Sequence, residues 1–112
     1  MQKSSQYKRR FPRFPLIRMV RLQQDPKAKS EKVYLVNISR GGIGLYTHNR
    51  VRPGETYYIN PMSWMNLDEL WTVKAVWCKA EGDFIMAGFK FTSMTDQEFD
   101  RIEKRVLPSF SV

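Results

Sequence analysis

With 112 residues, 42% of them hydrophobic and 13% aromatic, the chain has apolar material for one packed core and reads as a single domain. One cysteine, Cys78, excludes an internal disulfide framework and suits a reducing compartment; with one histidine, His48, too few of the usual ligands of a structural zinc are present. The formal net charge of +8 is concentrated at the front, where Lys3, Lys8, Arg9, Arg10, Arg13, Arg18 and Arg21 precede the first acid, Asp25; a local cationic end of this kind points to an anionic partner.

Residues 1–10 are polar and basic, and a flexible arm is expected over residues 1–14, ahead of one domain over 15–112. No apolar run follows the first positive charges, so no secretory leader is expected. No stretch approaches the ~20 apolar residues that span a bilayer, and a soluble cytoplasmic protein without membrane insertion is the expectation. Pro12 and Pro15 bias Phe11 and Phe14 away from helical geometry. In the extended chain that results, Arg9 and Arg13 project to one side, with Arg10 opposite or swung aside. Arginine forks can pair with phosphate oxygens or a guanine edge two bonds at a time. The same segment taken alone also reads as a disordered basic tail.

The chain then reads as strands. Leu16–Leu22 is the first, with imperfect alternation, and Asp25-Pro26 opens a polar turn running to Glu31. Lys32–Ile38 is the second, rich in β-formers, and Ser39–Gly42 a break. Ile43–Thr47 is the third and, after Pro53-Gly54, Thr56–Ile59 the fourth. A loop from Pro61 to Asp68 carries Trp64, a candidate surface contact or lid. Leu70–Cys78 is the fifth strand, with Trp71, Val73, Ala75 and Trp77 on one face by period two. Glu81-Gly82-Asp83 turns the chain into a sixth strand, Phe84–Phe91.

The last element has a helical period. Thr95 and Glu98 fit a capping box, and Phe99, Ile102, Val106 and Leu107 form an apolar stripe. Acids load the first turn, Lys104 and Arg105 the last, and Pro108 stops a helix expected over about residues 95–107. Six strands and one amphipathic helix predict an all-β-dominated fold: a closed or nearly closed six-stranded antiparallel barrel, with the C-terminal helix plugging one end or packed on the wall.

A second polar group stands at the end of the second strand. Asn37 and Ser39, two apart, share a face of an extended chain and offer uncharged hydrogen bonds. Gly41 and Gly42 follow; glycine tolerates φ > 0 and leaves room for a ligand to approach backbone N–H groups. Ordinary turn or bulge residues would read the same way. Arg40, inside this string, is a candidate phosphate contact or a solvated loop charge. Trp77 is a candidate stacking residue, though its alternating apolar face favours core packing. Cys78 reads as structural and His48 as a turn residue.

Arg9-x-x-x-Arg13 followed by Asn37-x-Ser39-x-x-Gly42, one strand and a turn later, resembles the PilZ domain family of bacterial cyclic di-GMP receptors, whose fold is a six-stranded barrel of split-barrel type with a C-terminal helix. Ala75-Val76-Trp77 and Ala87–Phe91, leading into a helix, look like the later strands of that family. The resemblance implies that Arg9 and Arg13, helped by Arg10, contact guanine edges and phosphates of cyclic di-GMP. It implies that Asn37, Ser39 and Gly42 supply hydrogen bonds and room for a guanine, with Lys8, Arg40, Gly41 and Trp77 as further candidates. The first reading is therefore a non-enzymatic receptor with no cofactor beyond its ligand, in which the arm is expected to order on binding and the altered surface to meet a downstream protein effector. Two other readings use the same residues: a small basic barrel that binds single-stranded nucleic acid, and a barrel serving as a protein adaptor without ligand. No nucleophile–base pair suggests catalysis.

Overall fold

The computed structural model describes residues 14–25, 27, 29–62 and 69–106. Lys8, Arg9, Arg10 and Arg13 of the arm, Pro26 of the first turn, Trp64, and the helix end at Leu107 and Pro108 lie outside the described residues.

Six strands among the described residues, β1 (Phe14–Gln23), β2 (Glu31–Ile38), β3 (Gly42–Thr47), β4 (Thr56–Asn60), β5 (Trp71–Glu81) and β6 (Phe84–Phe91), precede one helix, α1 (Asp96–Val106). The strands close into an antiparallel barrel in the order β1-β2-β3-β6-β5-β4, with β4 returning to pair with β1. Closure gives each described strand a neighbour on both sides, with β1 and β4 paired over Arg21–Gln23.

Period-two alternation builds most of the wall. Val33 and Leu35 of β2, Ile43 and Leu45 of β3, and Trp71, Val73 and Ala75 of β5 are buried, and side chains between them face outward. Tyr57 and Phe89 meet edge-on inside the barrel at 5.6 Å, and the Tyr57 hydroxyl accepts the Arg52 N–H at 3.0 Å, so its polar end is satisfied. The fifth strand runs three residues past its predicted end at Cys78. Lys79, Ala80 and Glu81 carry little apolar signal, yet they pair with Met86, Ile85 and Phe84 across a tight turn whose Gly82 sits at φ 63°. Hairpin pairing holds them in the ladder without burial.

The helix closes the end of the barrel where β2 leaves for β3 and β6 finishes. Phe99 and Ile102 enter the same buried cluster as the strand residues, and Phe91 bridges the Phe99 ring at 6.5 Å and Trp71 at 5.9 Å. The predicted capping box is formed: Thr95 N–H donates to Glu98 Oε1 at 2.9 Å and Glu98 N–H to Thr95 Oγ1 at 3.1 Å. No helix among the described residues is long and apolar enough to cross a membrane.

Candidate functional site

Two irregularities in the ladder decide which side chains face out beside the helix-capped end. Strict alternation from Val33 and Leu35 would send Asn37 into the core. The β2–β3 register shifts between Leu35 and Asn37, so Ile38 is buried instead and Asn37 sits across from Gly44 on the outer face. The β5–β6 register shifts in the same way between Ala75 and Trp77. This overturns the expectation that Trp77 continues the buried face of Trp71, Val73 and Ala75: the residue is 39% exposed. A bulge inserts one residue, reverses the facing of all that follow, and so re-aims a side chain.

The two re-aimed residues lie in one cross-strand row, Pro15–Asn37–Gly44–Gly88–Trp77, running over β1, β2, β3, β6 and β5. The two glycines form its floor. A Cβ on Gly44 would lie 2.8 Å from Asn37 Nδ2, and one on Gly88 would collide with Trp77 Nε1. The amide of Asn37 and the indole of Trp77 therefore rest flat on bare backbone. The result is a shelf on the outer wall, with a polar group at one side and an aromatic face at the other.

The turn beyond Asn37 is locked from within. Ser39 is 3% exposed, and its Oγ accepts the N–H groups of Gly41 and Gly42 at 3.1 and 3.2 Å. Ser39 N–H donates to Gly42 O at 2.8 Å, and Phe91 N–H ties the turn to β6 through Gly41 O at 3.0 Å. Asn37 and Ser39 thus do not share a face: one lies on the outer wall, the other is folded into the turn. The glycines also serve differently from expectation. Positive φ among glycines falls at Gly54 and Gly82, not in this turn. Gly42 is needed because a Cβ there would strike the Phe89 carbonyl oxygen.

The start of β1 belongs to the same corner. Phe14 pairs with Ile38 and Pro15 with Asn37, so the chain bearing Arg9, Arg10 and Arg13 joins the barrel directly beside the shelf. The PilZ domain family model matches residues 7–107, from this basic segment through the helix. The chain is a PilZ domain. No curated protein sequence matches it. Its barrel resembles the K. pneumonia MrkH–c-di-GMP complex (TM-score 0.70, 16% identity, 92% of this chain and 52% of that one). It also resembles the PilZ domain of Escherichia coli YcgR with c-di-GMP (0.66, 15%, 91% and 90%). A third likeness is to the Bacillus subtilis inhibitor of motility MotI/DgrA (0.67, 12%, 92% and 52%). The chain spans about half the length of the MrkH and MotI chains.

In this PilZ domain the Arg40 side chain is partly exposed and paired with the helix. Its guanidinium reaches over the barrel end to α1, with Nη1 3.2 Å from Asp96 Oδ1 and Nη2 3.2 Å from Asp100 Oδ1 and 3.5 Å from Glu103 Oε1. It also lies over the Phe99 ring at 4.9 Å. The hydrogen bond to Asp100 raises the pKa of the guanidinium above its ordinary value; desolvation opposes this and the Glu103 charge adds to it. Cys78, also exposed, donates to Val51 O at 3.3 Å, and His48 stacks on Phe84 at 4.4 Å. The outward Trp77 was missed by period-two counting; Gly88 inside an otherwise apolar strand was the available signal, since such a glycine marks a bulge or a close approach. The acids at positions 96, 100 and 103 share one helical face, but the cation they meet is far away in sequence.

Proposed function

We propose that this PilZ domain is a non-enzymatic cyclic di-GMP receptor, working in the cytoplasm and passing the signal to a protein effector. The observation that carries the reading is the entry of the arginine-bearing chain at Pro15, paired with Asn37 at the end of a shelf that finishes in Trp77. A cyclic dinucleotide has two flat bases and two phosphates. The exposed indole offers a stacking face and the Asn37 amide a hydrogen bond to a base edge, each lying close to the wall because Gly88 and Gly44 beneath them carry no side chain. Arg9 and Arg13, with Arg10 and Lys8 beside them, bring the charge to balance the phosphates. Ser39, Gly41 and Gly42 serve by fixing the turn that carries Asn37. Ligand and arm order together, and the surface they form is what an effector reads. Likeness to complexes of MrkH and YcgR with c-di-GMP supports the same ligand.

Calorimetry with cyclic di-GMP tests this, with GTP and a short oligonucleotide as controls. Arg9→Ala and Arg13→Ala should each weaken binding by ~1.5–3 kcal/mol, the range for hydrogen bonds to charged groups, which is roughly tenfold to hundredfold. Wild-type affinity in both variants, or no preference over the controls, would sink the assignment.

A further inference from the structure

We propose that Arg40 is a positioning residue, a tie that couples the ligand-binding turn to helix α1; this rests on the cyclic di-GMP reading above. Arg40 is the residue between Ser39, whose hydroxyl holds the turn from inside, and Gly41, whose carbonyl is bonded to β6. Its side chain leaves the turn on the helix side and meets three carboxylates from successive turns of α1, Asp96, Asp100 and Glu103. The planar fork reaches two of them through different nitrogens, while its face covers Phe99, itself 1% exposed. A single guanidinium therefore grips both the acidic stripe and the edge of the apolar plug.

A second polar tie from the helix joins Arg101 to Glu69 at 3.2 Å. Ser39 and β6 hold the turn and apolar burial seats α1, and Arg40 adds a direct link between the two. Two elements joined in this way share their ordering cost. A ligand that fixes the turn lowers the cost of seating α1, and a seated α1 improves ligand binding by the same factor. Occupancy of the shelf is thereby reported at a helix on the barrel end, whose outer residues Gln97, Arg101, Lys104 and Arg105 are exposed.

A mutant cycle on the intact chain decides this, using Arg40→Gln, the pair Asp100→Asn/Glu103→Gln, and all three together. Amide hydrogen exchange at Gly41 and Gly42 is read without ligand, and cyclic di-GMP affinity by calorimetry. Either side of the cycle should speed exchange at both glycines about threefold to tenfold, the combination no more than Arg40→Gln alone. The carboxylate pair should also weaken cyclic di-GMP binding about threefold to tenfold. Simple field effects run the other way, because removing negative charge near a dianion favours its binding. Unchanged exchange, additive effects across the cycle, or binding that tightens or holds in the carboxylate variant overturns the tie. A wild-type chain that binds no cyclic di-GMP overturns the ligand reading instead, and the exchange measurements then decide the tie alone.

Discussion

Gly42 and Gly88 show how one residue type answers to different neighbours. At Gly42 an added methyl meets the Phe89 carbonyl and lies 3.0 Å from the Lys90 Cα, all backbone of a paired strand that cannot retreat. Gly42→Ala should therefore lower unfolding free energy by about 1–3 kcal/mol, the usual range for overpacking, read from urea denaturation. At Gly88 the obstacle is the Trp77 side chain, half-exposed and able to swing away. Gly88→Ala should leave the barrel nearly as stable, shift the tryptophan emission, and reduce cyclic di-GMP affinity. Equal stability losses in the two variants would mean that Trp77 is held more firmly than its exposure suggests.

The helix separates local from tertiary stabilisation. Its capping box is a local device formed by Thr95 and Glu98 and depends on nothing in the barrel. Thr95→Ala should cost about 0.5–2 kcal/mol, as loss of an N-cap does. Ile102 is fully buried at the closed end of the barrel, and Ile102→Ala should cost about 2–5 kcal/mol through lost burial and the cavity left behind. Both are measured as shifts in the denaturation midpoint at constant slope. A larger loss for Thr95→Ala than for Ile102→Ala would mean that α1 does not plug the barrel in solution. The strands make the complementary point: β5 continues to Glu81 because it pairs with β6, not because its last residues are apolar.

At the scale of the molecule, the charge distribution bears on what kind of anion is bound. Seven cations come before Asp25, in and beside a segment that meets the barrel at the shelf. A compact dianion engages only a few of them, whereas a nucleic-acid strand would engage many along its length. Raising salt should therefore weaken oligonucleotide binding steeply and cyclic di-GMP binding shallowly, since the slope scales with the number of phosphates neutralised. Titrations of both between ~50 and ~200 mM salt are the check. Parallel slopes would favour the single-stranded nucleic-acid reading.

Much of the architecture was legible in the residue order. Six β-rich runs, their turn residues, and the Thr95–Glu98 box before Phe99 and Ile102 gave the strands, the helix and their sequence, because alternation, turn chemistry and capping act over a few neighbours. The Asn37-x-Ser39-x-x-Gly42 string pointed to the corner where the end of β2 pairs with the start of β1. Only tertiary structure decided which side chains that corner presents. A ladder shift depends on the partner strand, and it alone turned Asn37 and Trp77 outward and set Ser39 apart from Asn37. The meeting of Arg40 with Asp96, Asp100 and Glu103 likewise required the barrel to close and α1 to seat, since no local rule links residues that many positions apart.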